Sequence, residues 1–286
     1  MASDNRFAVL IDADNVSVKY IKIILDEISK DGIATYKRIY GDWTNPSLIS
    51  WKSTLLDNSI IPVQQYSYTT GKNSTDSAMI IDAMDILYSG RVEGFCLVSS
   101  DSDFTRLAAR LRESGMTVIG MGESKTPNSF IAACNKFKYL DILSAADEAE
   151  AEEAAPKAEP TKKPAAQPKK TAQKAAAKKP KEEPKAEKEP KPAEPKKQQE
   201  KAIEEPRTSL RTIRRALRTI VRENSDEDNW IMVSQVGNLL DKRYTDFDVR
   251  NFGFSKLTPF LESLDMFEIK DMKKDSSSPQ KYVRLK

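Results

Sequence analysis

Four aspartates in the first half of the chain stand beside apolar runs, where carboxylates could bind a metal ion. Asp12 follows the run FAVLI, Asp101 and Asp103 follow the run FCLV, and Asp76 begins the segment DSAMIID. The chain contains no histidine. Carboxylate oxygens without imidazole suit hard cations such as Mg²⁺ or Mn²⁺. Two such cations can cleave a phosphodiester, because one activates water and the other stabilises the leaving oxygen. The pattern therefore makes these four aspartates the candidate catalytic residues and metal ligands.

Each of these aspartates also has a structural interpretation. Asp76 and Asp103 stand at predicted helix starts, where a carboxylate can accept hydrogen bonds from free backbone N–H groups. Asp82 and Asp85 could belong to an exposed polar helix face. The structural interpretation is favoured for any one aspartate alone. Several carboxylates at strand ends along one rim instead favour a functional site.

Hydroxyl and cationic side chains are predicted near the same rim. They could hold a phosphate or orient water, and they could equally make hydrogen bonds within turns. The predicted substrate-orienting residues are Asn15, Lys72, Ser99, Ser100 and Thr126.

Alternating strand-like and helix-like segments supply the frame for these residues. Strand-like apolar runs are predicted at residues 6–11, 35–40, 60–65, 94–98 and 117–122. Helical spacing of apolar residues is predicted at residues 18–29, 76–89 and 104–113, with Gly115 as the left-handed cap of the last helix. Strands that alternate with helices predict an α/β fold, with a parallel sheet covered on both faces. Open α/β sheets place their sites at the carboxyl ends of the strands.

Composition divides the chain into residues 1–144, 145–206 and 207–286. The middle part contains ten of the 15 prolines and no aromatic residue. Such a segment cannot bury enough apolar surface to offset its ordering entropy, so we predict a disordered linker biased toward polyproline II. Its lysines leave loose RNA binding open as an alternative to a plain linker.

Charge differs between the two outer parts. Residues 1–144 hold 15 Lys/Arg against 17 Asp/Glu, whereas residues 207–286 hold 16 against 12. The C-terminal part is therefore the better candidate for contacting phosphates.

Cysteine usage and hydropathy bear on the compartment. Cys96 and Cys134 lie in apolar settings without CxxC spacing, which predicts buried thiols in a reducing compartment rather than a zinc site. The N-terminus has no signal-peptide pattern, and no apolar stretch reaches about 18 residues. We therefore expect a soluble cytoplasmic protein without a membrane segment.

Residues 207–286 have the pattern of a winged helix. A first helix carries apolar residues on one side and five arginines on the rest. A short strand at residues 230–233, a helix at 235–243 capped by Ser234, and a helix near 255–264 follow. Strands at residues 266–270 and 281–285 predict a terminal hairpin.

The N-terminal part resembles a NYN domain of the PIN-like nuclease fold, and more closely its LabA-like (DUF88) branch. The motifs that carry the resemblance are residues 11–15 (IDADN), 71–76 (GKNSTD), 81–85 (IDAMD), 99–104 (SSDSDF) and 126–130 (TPNSF). The resemblance implies metal-dependent RNA cleavage by a carboxylate cluster. Asp12, Asp76, Asp101 and Asp103 match the acidic positions, with Asn15 as a companion and Asp82 as a further candidate.

The C-terminal part resembles the OST-HTH or LOTUS domain. The motifs are residues 229–231 (NWI), 244–248 (YTDFD), 251–257 (NFGFSKL) and 282–285 (YVRL). The family implies binding of RNA, G-rich or structured in some members, and of a protein partner in others. Tyr244, Phe247 and Phe252 could stack on bases, although for the two phenylalanines a core position is favoured. The predicted phosphate contacts are Arg250, Lys256, Lys273 and Lys274.

These observations together favour a Mg²⁺- or Mn²⁺-dependent ribonuclease with a tethered RNA-binding module. The linker would raise the concentration of RNA at the nuclease. Two alternatives stay open: a catalytically weak RNA-binding or regulatory protein, and an adaptor whose winged helix docks a protein partner.

Overall fold

The computed structural model describes residues 5–66, 74–154, 208–272 and 280–286. Most of the predicted linker, from residue 155 onward, lies outside the described residues. Within the described residues, the part of the chain up to Glu152 and the part from Thr208 onward belong to one compact unit.

A six-stranded parallel sheet lies at the centre of the first domain, in the order β3-β2-β1-β4-β5-β6. Its strands are β1 (Arg6–Asp12), β2 (Ile33–Gly41), β3 (Ile61–Gln64), β4 (Gly94–Val98), β5 (Thr117–Gly122) and β6 (Lys136–Tyr139). The first five confirm the predicted strands, and β4 and β5 have the predicted bounds. The central strands β1 and β4 are neighbours, so their carboxyl ends meet at one rim. β6 is a strand that the sequence did not predict.

Helices cover both faces of this sheet, as predicted. They are α1 (Ile21–Asp31), α2 (Trp51–Asp57), α3 (Ser74–Ser89), α4 (Thr105–Glu113), α5 (Asn128–Ala133) and α6 (Leu140–Ala154). Side chains of β1 alternate between two apolar cores, because Val9 and Ile11 pack in one while Ala8 and Leu10 pack in the other. Gly115 has φ +81°, which confirms the predicted left-handed cap.

Helix α6 runs past the predicted end of the first domain. The composition predicts residues 145–154 as part of the linker, but the structure continues the helix through them to Ala154. Alanine and glutamate dominate this stretch and are strong helix formers. The first proline that follows the stretch, and that could end the helix, is Pro156.

The second domain has a winged-helix fold. Its elements are α7 (Leu210–Asn224), β7 (Ile231–Met232), α8 (Val233–Arg243), α9 (Leu257–Ser263), β8 (Phe267–Met272) and β9 (Gln280–Leu285). The strands pair antiparallel in the order β7-β9-β8. The expected Ser234 cap is wrong, since α8 begins at Val233, two residues before the predicted start, with Met232 at its N-cap.

Phe247 and Phe252 are partly buried and pack against the core of the second domain. Their rings lie 6.1 and 5.3 Å from that of Phe260, which is fully buried. The favoured core interpretation fits these contacts.

The two domains contact each other through α1 and β6 on one side and residues 245–250 on the other. The Arg250 guanidinium donates to both Glu27 carboxylate oxygens, at 2.6 and 2.9 Å, and it also pairs with Asp248. The Lys138 ammonium lies 3.0 Å from Glu27 and 2.8 Å from Asp31. We call these five residues the Glu27 ion cluster. Arg250 is therefore held by two carboxylates rather than presented as the phosphate contact that the sequence suggested.

Because Glu27 is buried, its ionisation depends on the cations that surround it. The Glu27 side chain is only 4% exposed. Burial alone would raise the pKa of Glu27, but Arg250, Lys138 and Lys30 together hold that pKa well below its usual range. The ionised carboxylate is thus the form that the folded protein stabilises.

Backbone and tyrosine contacts extend the interdomain surface. The Phe137 N–H donates to the Thr245 carbonyl at 2.7 Å, and the Tyr139 hydroxyl donates to Asp246 at 3.2 Å. Because Phe137 and Tyr139 belong to β6, the second domain covers part of this edge strand.

Limited proteolysis tests this arrangement. The composition of residues 155–206 predicts that a protease cuts first within that range. Because the interdomain contacts do not depend on it, we expect the two resistant fragments to stay associated and to co-elute in size-exclusion chromatography. Fragments that separate immediately after cleavage would contradict stable docking, and protection of the whole range would contradict the linker prediction.

Two smaller observations concern the cysteines and hydropathy. Cys96 and Cys134 are buried free thiols, as predicted, and burial raises the pKa of each to about 12. Within the part of the chain that the structure describes, no helix is both long and apolar enough to span a membrane.

Candidate metal centre

Three of the four predicted aspartates converge at the carboxyl end of the sheet. Asp101 and Asp103 follow β4, and Asp76 lies in the first turn of α3. One carboxylate oxygen from each residue lies within 4.8 Å of the others. The segment after β4 therefore provides two of these carboxylates, and the first turn of α3 provides the third.

Asp12 lies at the end of β1 and is connected to this cluster through Ser99. The Ser99 hydroxyl donates to an Asp12 carboxylate oxygen at 2.8 Å, and the Asp101 N–H donates to the Ser99 hydroxyl oxygen at 3.1 Å. The Asn15 amide and the Asp14 N–H also donate to Asp12, at 2.7 and 3.0 Å. Asp12 is fully buried. Burial raises its pKa, although the hydrogen bonds from Asn15 and Ser99 act in the opposite direction.

The electrostatics of Asp76 show that these carboxylates act on one another. The pKa of Asp76 is raised to about 6, first by burial and then by the charges of Asp12, Asp101, Asp103 and Asp14. The four charged neighbours with the largest effect are thus all carboxylates. Like charges held together in this way are typical of functional sites.

Local backbone structure explains how Asp101 is oriented. Its carboxylate accepts a hydrogen bond from the Asp103 N–H at 2.9 Å and caps the short 3-10 helix Ser102–Phe104. The capping role considered for Asp103 therefore belongs to Asp101. Asp76 is in the first turn of α3, where the helix dipole favours a negative charge.

The predicted substrate-orienting hydroxyls lie at the rim, where they hold its loops. The Ser100 hydroxyl oxygen accepts from the Glu123 N–H at 2.9 Å, and the buried Thr126 hydroxyl donates to the Glu123 carbonyl at 2.6 Å. At Gly122 an added Cβ would lie 2.6 Å from the Ser99 carbonyl oxygen, so only glycine fits there. Lys72 lies outside the described residues.

Asp82 has structural partners of its own. Its carboxylate forms an ion pair with Arg38 and accepts a hydrogen bond from the Tyr40 hydroxyl. Burial, followed by the hydrogen bond to Asp82, holds the pKa of Tyr40 above its usual value. Asp82 therefore anchors α3 to β2, and the three converging carboxylates do not include it.

Two further residues, Asp14 and Thr75, lie at the rim and were not predicted as site residues. The Thr75 hydroxyl donates to Asp14 at 3.0 Å, which ties the start of α3 to the loop after β1. Thr75 is buried, and Asp14 contributes to the raised pKa of Asp76. Their positions were visible in the sequence, because Asp14 lies two residues after Asp12 and Thr75 directly precedes Asp76.

The chemistry of this donor set fits a hard divalent cation. The converging groups are all carboxylate oxygens, which Mg²⁺ and Mn²⁺ prefer. Within the described residues, no lysine or arginine forms an ion pair with Asp12, Asp76 or Asp101. A cation would offset the mutual repulsion that raises the pKa of Asp76.

We expect Asp76→Asn to stabilise the metal-free protein above pH about 6. The folded pKa of about 6 exceeds the ordinary 3.8, so the folded state binds the proton more tightly and stability falls as pH rises between those values. Removing the carboxylate should raise the free energy of unfolding by roughly 1–2 kcal/mol at pH about 7.5, after allowing for the lost helix-dipole interaction. Urea unfolding with EDTA at pH about 4 and about 7.5 measures this. A loss of stability that is equal at both pH values would instead make Asp76 a helix-capping residue.

The sheet topology and the acidic rim define the first domain as a PIN-like α/β domain. Residues 6–141 match the NYN domain family, and residues 207–278 match the OST-HTH/LOTUS domain family. The chain therefore carries an NYN domain followed by an OST-HTH/LOTUS domain. NYN domains belong to the PIN-like nuclease superfamily, and the OST-HTH/LOTUS domain indicates RNA binding. The narrower LabA-like assignment stays a prediction.

Comparisons with individual proteins add little to this assignment. No curated protein matches the chain significantly. A crystal structure of a protein of unknown function from Vibrio parahaemolyticus is similar to this chain with a TM-score of 0.41 and 19% sequence identity. The aligned region covers 49% of this chain and 96% of that chain. At that TM-score the likeness carries no argument about fold or function.

Proposed function

We propose that the protein is a ribonuclease that depends on Mg²⁺ or Mn²⁺ and that binds RNA through its OST-HTH domain. The convergence of Asp76, Asp101 and Asp103 at the rim of an NYN domain is the observation that carries this proposal. In this proposal Asp12 completes the ligand set, since it is buried beside the cluster and its charge acts on Asp76.

Different residues of the chain would hold the cation and orient the carboxylates. A bound divalent cation supplies a more acidic water and charge stabilisation at the phosphate. Asp76, Asp101 and Asp103 would hold that cation. Ser99 and Asn15 orient the Asp12 carboxylate through hydrogen bonds of 2.8 and 2.7 Å.

The remaining predicted side chains support this arrangement from the surrounding loops. Ser100 and Thr126 fix the loop after β5 through the Glu123 backbone. The contacts of these two residues favour a positioning role over direct phosphate binding. Lys72 stays a predicted phosphate contact.

RNA contacts in the second domain are proposed at cations that remain accessible. Lys256 is exposed directly before α9, where its ammonium is accessible to a phosphate. Lys273 and Lys274 stay predicted contacts, but they lie outside the described residues. Arg250 is not among the proposed phosphate contacts, because Glu27 and Asp248 already bind its guanidinium.

Purified protein incubated with Mn²⁺ and a panel of single-stranded and structured RNAs tests the proposal. We expect cleavage that EDTA abolishes and that Asp12→Asn strongly reduces. The panel also reveals whether G-rich or structured RNA is preferred, and whether products come from internal or terminal cleavage. RNA binding without metal-dependent turnover would support a regulatory RNA-binding protein instead. Failure to bind any RNA would favour an adaptor that docks a protein partner.

A further inference from the structure

Helix α7 presents a row of exposed arginines. Its buried face packs in the core of the second domain through Ile213, Ala216, Leu217, Ile220 and Val221. The five arginines all lie on the exposed side. They are Arg211, Arg214, Arg215, Arg218 and Arg222, which we call the arginine face. Because the opposite side of the helix is anchored in the core, the arginine face has a fixed orientation toward solvent.

Spacing along the helix brings four of these arginines into one stripe. Arg211, Arg215, Arg218 and Arg222 follow one another at intervals of four, three and four residues, which places them on the same side of an α-helix. With a rise of 1.5 Å per residue, the stripe is roughly 16 Å long. An extended ligand with repeated negative charges could therefore contact several arginines at once.

The arginine face differs from other cations of the domain in its charge balance. Among the described residues, no carboxylate forms an ion pair with any of the five arginines, and Arg214 donates to the Leu264 carbonyl at 2.9 Å. By contrast, Arg250 pairs with Glu27 and Asp248, and Arg284 pairs with Glu268. Ion pairs within the folded chain thus offset the charges of Arg250 and Arg284. The arginines of α7 instead keep their positive charge available to a ligand.

We propose that the arginine face is a binding site for the phosphate backbone of RNA, in addition to the contact proposed at Lys256. Guanidinium groups bind phosphates through paired N–H donors, which makes arginine well suited to this ligand. The face contains no aromatic side chain to stack on bases, so it contacts backbone rather than sequence. The proposal rests on the proposed RNA binding by the OST-HTH domain and does not depend on cleavage.

The test compares two triple variants of the full chain, each in an Asp101→Asn background so that RNA stays intact. One variant carries Arg215→Gln, Arg218→Gln and Arg222→Gln. Its matched control carries Lys242→Gln, Arg243→Gln and Lys270→Gln, which removes the same charge from exposed positions elsewhere in the domain. Fluorescence anisotropy of a labelled single-stranded RNA, measured without divalent cation over a range of salt concentrations, gives the affinity and its salt slope.

We expect the arginine variant to bind RNA on the order of 100-fold more weakly at about 0.1 M salt, with a salt slope flatter by about 2. The control should lose less than about threefold. A third variant with lysine at all three arginine positions should keep most of the slope, because it keeps the charge. It also excludes misfolding as the cause, and thermal unfolding of all variants provides a second check.

Equal losses in the arginine variant and its control would overturn the proposal, because net charge alone would then explain binding. An unchanged affinity in the arginine variant would also overturn it. So would an arginine-dependent affinity for anionic lipid vesicles or for an acidic peptide that exceeds the affinity for RNA. Cleavage by the chain with wild-type Asp101 is measured separately, so failure of the nuclease proposal and failure of the arginine face give different results.

Discussion

Asp101→Asn is expected to lower metal-dependent RNA cleavage by more than about 100-fold without unfolding the protein. The substitution replaces a charged candidate ligand by a neutral amide of the same shape, so metal affinity and cleavage should fall together. The amide oxygen can still accept from the Asp103 N–H, which preserves the cap of the 3-10 helix. Because the change also removes one of the charges that act on Asp76, the free energy of unfolding should hold or rise.

Asp85→Asn is the matched control for this experiment. It makes the same chemical change at an exposed position of α3 and should leave cleavage within about twofold of the unmodified protein, as expected for a surface substitution. Cleavage rates and Mn²⁺ affinities of both variants, together with urea unfolding, separate the possible roles of Asp101. Loss of folding with unchanged cleavage per folded molecule would show that Asp101 is structural and that the proposed site is wrong.

Glu27→Gln is expected to lower the free energy of unfolding by roughly 2–3 kcal/mol. Removing one partner of a buried ion pair leaves the others uncompensated, which costs about 3–5 kcal/mol in fully buried cases. We expect less here, because the Arg250 side chain is 24% exposed and Asp248 also pairs with it. Urea unfolding at pH about 7 measures the loss.

Glu93→Gln provides the control, since Glu93 forms an exposed ion pair with Arg6. Water screens an exposed pair of this kind, so its removal should change the free energy of unfolding far less than Glu27→Gln does. The double variant Glu27→Gln, Arg250→Gln should lose less than the sum of the single losses, because the two residues contact each other. Equal losses for Glu27→Gln and Glu93→Gln would show that the Glu27 ion cluster does not stabilise the folded chain.

The same cluster predicts a pH dependence. The folded state holds the pKa of Glu27 below its ordinary value of 4.5. Its contribution to stability is therefore present above that value and is lost as pH falls through the lowered folded pKa. Glu27→Gln should lack this part of the acid destabilisation, so the difference between the two proteins should shrink at low pH.

The central strands could be predicted from sequence because apolar runs bounded by turn residues are unambiguous signals. Residues 94–98 and 117–122 are such runs, and both form strands with the predicted bounds. β6 escaped prediction because it is only four residues long and alternates lysine with aromatic residues, KFKY. Its pairing with β5 fixes it as a strand through contacts that no local pattern reveals.

The same distinction holds for the candidate site. The positions of Asp101 and Asp103 after β4 can be predicted from local sequence, and Asp76 can be placed near them because it stands at a predicted helix start that can point at the same rim. The partners of Arg250 cannot be predicted in this way, because Glu27 lies 223 residues earlier in the chain. An arginine near a helix entry in a winged helix suggests a phosphate contact until the residues packed against it are known.

The position of β6 at the edge of the sheet has a consequence for isolated domains. An uncovered edge strand offers unpaired N–H and C=O groups to other chains and promotes aggregation. Here the Thr245 carbonyl accepts from the Phe137 N–H, and Asp246 accepts from the Tyr139 hydroxyl. The winged helix therefore covers part of the β6 edge and shields it from other chains. An NYN domain expressed without this cover would expose both the strand edge and the buried Glu27 carboxylate, and it should self-associate as its concentration rises.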